Sequence, residues 1–345
     1  LLQETQECRT LSRALMLQAR LAIAEGRYDD AIDLLRINYR MARDVAREPL
    51  LVCDLVGMAI AGMGHRSVVE LMAQPDSPNL YWALTELPSP LIDTRESIRG
   101  EMSLALRMFP FLLDAETARH SPEEWAVLLT DAMLEMQSMV KYPTVVIPEE
   151  RKILAQLGVM ATSLAVYPEA KQRLIASGMS EERVEGMPAG QVVAIDSLRE
   201  YRRIADELEK WQYVPYDVMR SGATDDLFEE DGAAGIVSRG FGYVVAKLLL
   251  PAIRTARSSE QRLVWQTDGI RTVEAIRMHA SKTGKLPASL EEIEIVPVPK
   301  NPATGKPFRY KLDSDTAVLD LPFSDGFRGS AYRFEITLID EKPPR

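Results

Sequence analysis

Three histidines (His65, His120 and His279), two cysteines (Cys8 and Cys53) and one dense run of carboxylates are the side chains of this sequence best suited to chemistry. No His-Glu-x-x-His and no Cys/His cluster offers the spacing of a zinc site, and no Gly-x-Ser-x-Gly elbow presents a nucleophilic serine. His65 and Glu70 stand near helical spacing and read as a polar surface pair in preference to an acid–base dyad. His120 precedes a helix cap and His279 lies near a helix C-terminus, where a cation suits the dipole. The tetrapeptide KTGK at 282–285 shares the end of a phosphate-binding loop, but that loop needs a glycine where His279 stands. GMGHRS at 62–67 lacks the third glycine and the preceding strand of a dinucleotide loop. Asp225, Asp226, Glu229, Glu230 and Asp231 do not alternate as EF-hand ligands must, so a solvated acidic loop is expected there. Cys8 and Cys53 sit among apolar neighbours in helical patterns and read as small buried hydrophobes, not a disulfide. These residues name no reaction, and the reading leans away from an enzyme.

The composition narrows the partners. A net charge of -10 and a pI near 5.1 argue against nucleic acid and against an anionic membrane surface, and no Lys/Arg run marks a basic patch. With 345 residues, 46% of them hydrophobic and 27% charged, the chain is an ordinary globular sequence with room for two domains. Fifteen methionines scattered over apolar helix faces read as core filler. A spanning helix needs about 20 apolar residues. The two most apolar runs, 51–63 and 243–253, are shorter and carry Asp54 and Lys247, so no direct membrane span is expected. The chain opens at Leu1 already in helical rhythm, which reads as a truncated start and leaves a removed signal or anchor open.

The elements that would position any site are mostly helical. From Leu11 to Ala73 the pattern is helix, turn, helix, with Gly26 suited to a helix C-terminus and Asp29 and Asp30 to the N-terminus that follows. Ala19, Gly26, Tyr28 and Ala31 resemble the small–Gly–aromatic–Ala signature of one tetratricopeptide-type repeat; an ordinary helical hairpin is the equal alternative. A poorer second copy is expected around Gly57, Gly64 and Val69. Prolines 75, 78, 88 and 90 bracket a short helical piece capped by Asn79. Its Tyr81 and Trp82 are the candidate partner-binding residues, weighed against a role in docking the piece onto the bundle. Helical patterns follow at 94–109, at 121–140 (opened by a capping box of Ser121 and Glu124), at 149–166, 168–177 and 189–212, with a short helix started by Ser180. Residues 213–240 have weak periodicity and read as a linker.

From 242 to 284 one long helix is expected, with Pro251 as a kink or first turn, then a proline-rich loop and strands at 307–312, 316–321 and 331–339. Gly284, Leu286, Pro287, Ser289 and Leu290, followed by Pro299, Asn301, Pro302, Gly305, Pro307, Phe308 and Tyr310, resemble the motif of the globular domain of type II secretion pseudopilins and type IV pilin-like proteins. The resemblance covers roughly 242–345 and implies a helix packed on a small antiparallel sheet in a bacterial cell-envelope protein. The internal, Lys-bearing helix start departs from the anchored half-helix of that group, with Val245 where its Glu would stand, so a soluble pilin-like module is implied. Some members bind Ca²⁺ in the C-terminal loop; Asp313, Asp315 and Asp325 are the candidate ligands here, although the fuller acidic pattern is missing and no other cofactor is implied. Helical regions joined to such a tail are also similar to large protein families of Planctomycetes, which implies no activity.

The expectation is therefore a mainly α protein with a small α+β C-terminal module. A helical bundle, repeat-like in part, fills 1–212; 213–240 is a linker; 241–345 is a long helix packed on a three-stranded antiparallel sheet. The expected role is a non-catalytic protein–protein interaction or assembly component of the cell envelope or periplasm, secretion machinery included, with a protein partner. A cytoplasmic location is left open. The alternative is an enzyme or small-ligand-binding protein with a pocket between the helical bundle and the C-terminal module.

Overall fold

In the computed structural model of the chain, residues 2–140, 149–218, 240–302, 304–321 and 332–338 are described. The fold is mainly α with a small three-stranded antiparallel sheet near the C-terminus. The helices are α1 (Leu2–Ala24), α2 (Tyr28–Val45), α3 (Leu51–Met72), α4 (Tyr81–Thr85), α5 (Arg95–Arg107), α6 (Pro110–Leu113), α7 (Pro122–Val140), α8 (Glu149–Ala176), α9 (Glu181–Glu185), α10 (Ala189–Trp211), α11 (Tyr216–Val218) and the long α12 (Gly240–Thr283). A short 3₁₀ turn, Leu290–Glu292, leads to β1 (Arg309–Asp313), β2 (Thr316–Leu321) and β3 (Tyr332–Thr337).

The chain divides into two compact units: Leu1–Ile98 with Pro215–Asp217 and Ala252–Arg345, and Arg99–Val214 with Val218–Pro251. This partition cuts across the boundaries expected at 213 and 240. The first three helices group with the C-terminal module, and one boundary falls at Pro251, inside α12. The physical reason is a set of buried contacts at long sequence separation. Glu274 of α12, for example, accepts from Asn79 and from the backbone of Leu80.

In the first unit, Gly26 takes φ +71 at the end of α1, a conformation that glycine adopts freely. Tyr28 opens α2 and donates from its hydroxyl to Pro75 O at 2.8 Å. Ala19, Ala22 and Ala31 are fully buried, so the two helices pack close. The helix α3 packs on both α1 and α2 and completes a three-helix bundle. Gly57 and Gly64 both lie inside it, so the second helix–turn–helix copy expected there is a single helix. The glycines are needed for close approach. A Cβ on Gly57 would stand 2.6 Å from Ala42 O, and one on Gly64 would stand 2.8 Å from Asn38 Nδ2. Gly57→Ala should lower the unfolding midpoint and cost about 1–3 kcal/mol, because a backbone carbonyl cannot step aside and the clash outweighs the better helix propensity of Ala. Denaturant titration of the variant checks this.

The C-terminal part of α12 and the meander β1-β2-β3 belong to the same unit. In register, Tyr310 faces Leu319 and Leu319 faces Phe334, while Leu312 faces Ala317 and Ala317 faces Ile336. Ala317, Leu319 and Leu321 are buried, and Leu319 and Leu321 share a core with Trp265, Ile270, Val273 and Ile276 of α12. The proline loop is held by its own polar groups. Tyr310 Oη donates to Pro287 O at 2.6 Å, Gly305 N to Asn301 O at 2.8 Å and Asn301 N to Lys306 O at 2.8 Å.

In the second unit the capping box expected at Ser121 forms. Glu124 N donates to Ser121 Oγ at 3.2 Å, and Ser121 N to Glu124 Oε2 at 2.7 Å. Pro168 does not break the chain into two helices as expected; it lies inside α8. That helix packs on α10, where Arg173 grips the buried Asp196 through Nε and Nη2 at 3.0 and 2.7 Å. Among the described residues two helices are long and apolar enough to cross a membrane: α3, mostly buried in the first unit, and Ile153–Ala176 of α8, mostly exposed. The linker expected at 213–240 and its acidic cluster lie largely outside the described residues, apart from the short α11.

Candidate functional site

A groove of about 310 Å³ in the first unit combines an apolar floor with a charged rim. Leu35 and Tyr39 of α2, Val68 of α3, and Leu80 and Leu84 beside α4 supply the floor. Arg36, Arg40 and Arg43 of α2, with Arg47 just past its end, supply the rim. The local sequence explains this layout. At a period of 3.6, Leu35, Asn38, Tyr39 and Ala42 face the core, and the arginines at i, i+4, i+7 and i+11 form one exposed row beside them. Asp33 lies 3.1 Å from Arg36, and Asp44 lies 3.2 Å from Arg47 and 3.8 Å from Arg40. These exposed pairs contribute little to stability. A positive rim on a protein of net charge -10 was not visible as a Lys/Arg run. The row appears only when the sequence is read at the helical repeat, and that is the signal that would have found it.

The groove does not coincide with the residues singled out by sequence. Tyr81 is 1% exposed, and its hydroxyl donates to Pro297 O, so it is a core anchor and not a partner-binding side chain. Trp82 is 58% exposed, with its ring edge-on to Tyr81 at 5.1 Å, but it does not line the groove. Asp313 and Asp315 flank Ser314 at the exposed turn between β1 and β2, and Asp313 lies 3.6 Å from Lys311. Asp325 lies outside the described residues. Among the described residues no group of three or more His, Cys, Asp or Glu side chains could hold a metal ion.

His65 and Glu70 do not pair. Five residues turn a helix by about 140° from alignment, so Glu70 faces out to Arg20 at 2.7 Å while His65 is buried. Thr267 donates its hydroxyl hydrogen to Leu263 O at 2.9 Å, so its oxygen accepts from His65 Nε2–H, also at 2.9 Å. That fixes the tautomer and leaves His65 Nδ1 buried without a partner. Burial pulls the ring down to about 4, so the imidazole is neutral at physiological pH. Neither Cys8 nor Cys53 is in a disulfide, and Cys53 is fully buried.

Asp54 and Glu260 are among the carboxylates of the first unit that are enclosed by protein. Asp54 of α3 is 0% exposed, and neither oxygen has a hydrogen-bond partner. Burial raises its pKa to about 7, and the charges of Glu260 and Asp93 add to the rise; Ser97 works the other way, but its contact falls short of good hydrogen-bond geometry. Glu260 of α12 accepts from Thr94 N and Oγ1 at 2.8 and 2.6 Å and pairs with Arg257 at 2.5 Å. Both carboxylates are shut away from solvent, which suits structure better than turnover. A more open hollow of about 590 Å³ lies between the end of α3, α12 and β3, where a pocket between helices and C-terminal module was envisaged. Its carboxylates are Asp76 and Glu335, and Glu335 pairs with Arg333 at 3.2 Å. Comparison of the chain with protein-family models, with curated proteins and with solved structures finds no match in any of the three.

Proposed function

We propose that this protein is a non-catalytic interaction or assembly component of the bacterial cell envelope that receives a protein partner in the groove between α2 and α4. The observation that carries the reading is the groove itself, an apolar floor flanked by an ordered row of arginines. Interfaces of this kind have a desolvated apolar centre and a polar rim, with Arg and aromatic residues prominent.

The envelope assignment rests on the pilin-like motif. It is supported by the structural work of the motif residues: Gly284 ends α12 at φ +74, Gly305 turns the loop at φ +64, and Tyr310 clips the loop to Pro287. The tetratricopeptide-like reading of α1 and α2 draws similar support from the buried Ala19 and Ala31 and the turn at Gly26. Site-specific photo-crosslinking tests the function. A crosslinker at the exposed Ala83 should give a defined protein adduct in an extract of the source cells, while one at the exposed Glu291 should not. Equal adducts at both positions, or turnover of a small molecule by the isolated chain, would overturn the proposal.

A further inference from the structure

Resting on that reading, the geometry points to an acidic amphipathic α-helix as the occupant of the α2–α4 groove. Charge is the first feature of the groove that selects its occupant. Four arginines and a single carboxylate, Asp44, line the groove, whereas the chain as a whole is strongly acidic. A local excess of one sign on a protein of the other sign selects the charge of what binds.

The second step is spacing. Arg36 to Arg47 covers eleven residues of rise, about 16 Å along the α2 direction. One phosphate or carboxylate headgroup would need its cations gathered around a single point. A row spread over three turns matches a ligand that carries several carboxylates at a similar repeat, which a helix with Asp or Glu at i, i+4 and i+7 does. Each guanidinium can take a carboxylate bidentately. The dipole of α2 accounts for basic residues at its C-terminal end, Arg43 and Arg47, but not for Arg36 and Arg40 nearer the middle.

The third step is the floor. Leu35, Val68, Leu80, Leu84 and the ring of Tyr39 form an apolar strip beside the row, so the occupant must show an apolar stripe next to its acidic one. The Tyr39 hydroxyl is buried without a partner. A volume of about 310 Å³ is at the small end of ligand pockets and suits a few side chains inserted from a helix that lies along the surface.

The test uses the full chain and a fluorescent synthetic peptide of about 15 residues, with Leu along one face and Glu flanking it. A Lys-for-Glu counterpart, laurate and phosphatidylglycerol vesicles serve as competitors. We expect the Glu peptide to bind in the micromolar range, to weaken as salt rises, and to lose about tenfold or more with R40E/R43E, while the same variant gains affinity for the Lys peptide. Both arginines are exposed, so the variant should keep its fold, which circular dichroism checks. Equal binding of the Glu peptide to wild type and variant would overturn the inference. So would binding of laurate or vesicles alone, which would make the occupant a lipid. If a protein crosslinks at Ala83 while the acidic peptide fails to bind, the interaction reading survives and the acidic helix does not. If neither is seen, both fall.

Discussion

Replacing Glu274 by Ala should destabilise the first unit by about 3–5 kcal/mol, among the largest effects any single substitution should have here. Glu274 is 0% exposed on α12. Its Oε1 accepts from Leu80 N at 3.0 Å, and its Oε2 accepts from Asn79 Nδ2 at 2.7 Å and from Arg277 Nη1 at 2.8 Å. Arg277 then reaches on to Ser77 O and Oγ at 3.0 and 2.7 Å. One carboxylate thus holds the whole entry to α4. Burial raises its pKa against the downward pull of Arg277, so desolvation outweighs the pairing. The large loss comes from what truncation leaves behind: the Arg277 guanidinium without its carboxylate and the Leu80 N–H without its acceptor, while Asn79 Nδ2 keeps only the main-chain oxygen of residue 274. Glu274→Gln should fall between, since it keeps the volume but turns a donor toward Arg277. Urea titration gives the size of the loss, and hydrogen exchange at the Leu80 amide gives its location. A loss below about 1 kcal/mol, or unchanged protection at Leu80, would show that the carboxylate does not organise this segment.

How far such contacts could be read from the sequence follows from their range. Local signals served well. The Ser121 and Glu124 box and the Ser180 cap each depend on neighbours within a few residues, and each forms. Rules based on single residues failed where tertiary packing could compensate for the residue. Pro168 sits inside a helix, and Gly57 and Gly64 serve close packing within α3 instead of a turn. The grouping of the first helices with the C-terminal module was not legible, because it depends on contacts such as Asn79 to Glu274 and Thr94 to Glu260. The pattern of each segment shows that it has a face to bury but does not say against what. The groove was half legible. Its arginines were present in the sequence at helical spacing, but the floor beside them is assembled from three separate segments.

Asp54→Asn should stabilise the protein at pH 8 by about 4 kcal/mol and leave it nearly unchanged at pH 4. In the unfolded chain Asp54 has its ordinary pKa of 3.8, and in the fold about 7. A raised pKa means that the contribution of Asp54 is fully present below 3.8 and is lost as pH rises to about 7, by about 4 kcal/mol in all. Asparagine has the same shape and cannot ionise, so it removes the loss. At acid pH the protonated carboxyl and the amide are near equivalents, each with polar atoms that find no partner. His65 runs the other way. Its folded pKa of about 4 lies below the ordinary 6.5, so the stability tied to its neutral form is present above 6.5 and drains as pH falls through 4, by about 3 kcal/mol. Between pH 4 and 6.5 the two groups oppose each other in the wild type and flatten its pH dependence. Removing Asp54 should therefore do more than raise stability in base; it should expose a steeper fall in acid, set by His65 alone. Denaturant titrations of wild type and D54N across pH 4 to 8 read both effects together. A difference of the same size at the two ends would mean that Asp54 is not the group titrating inside the fold.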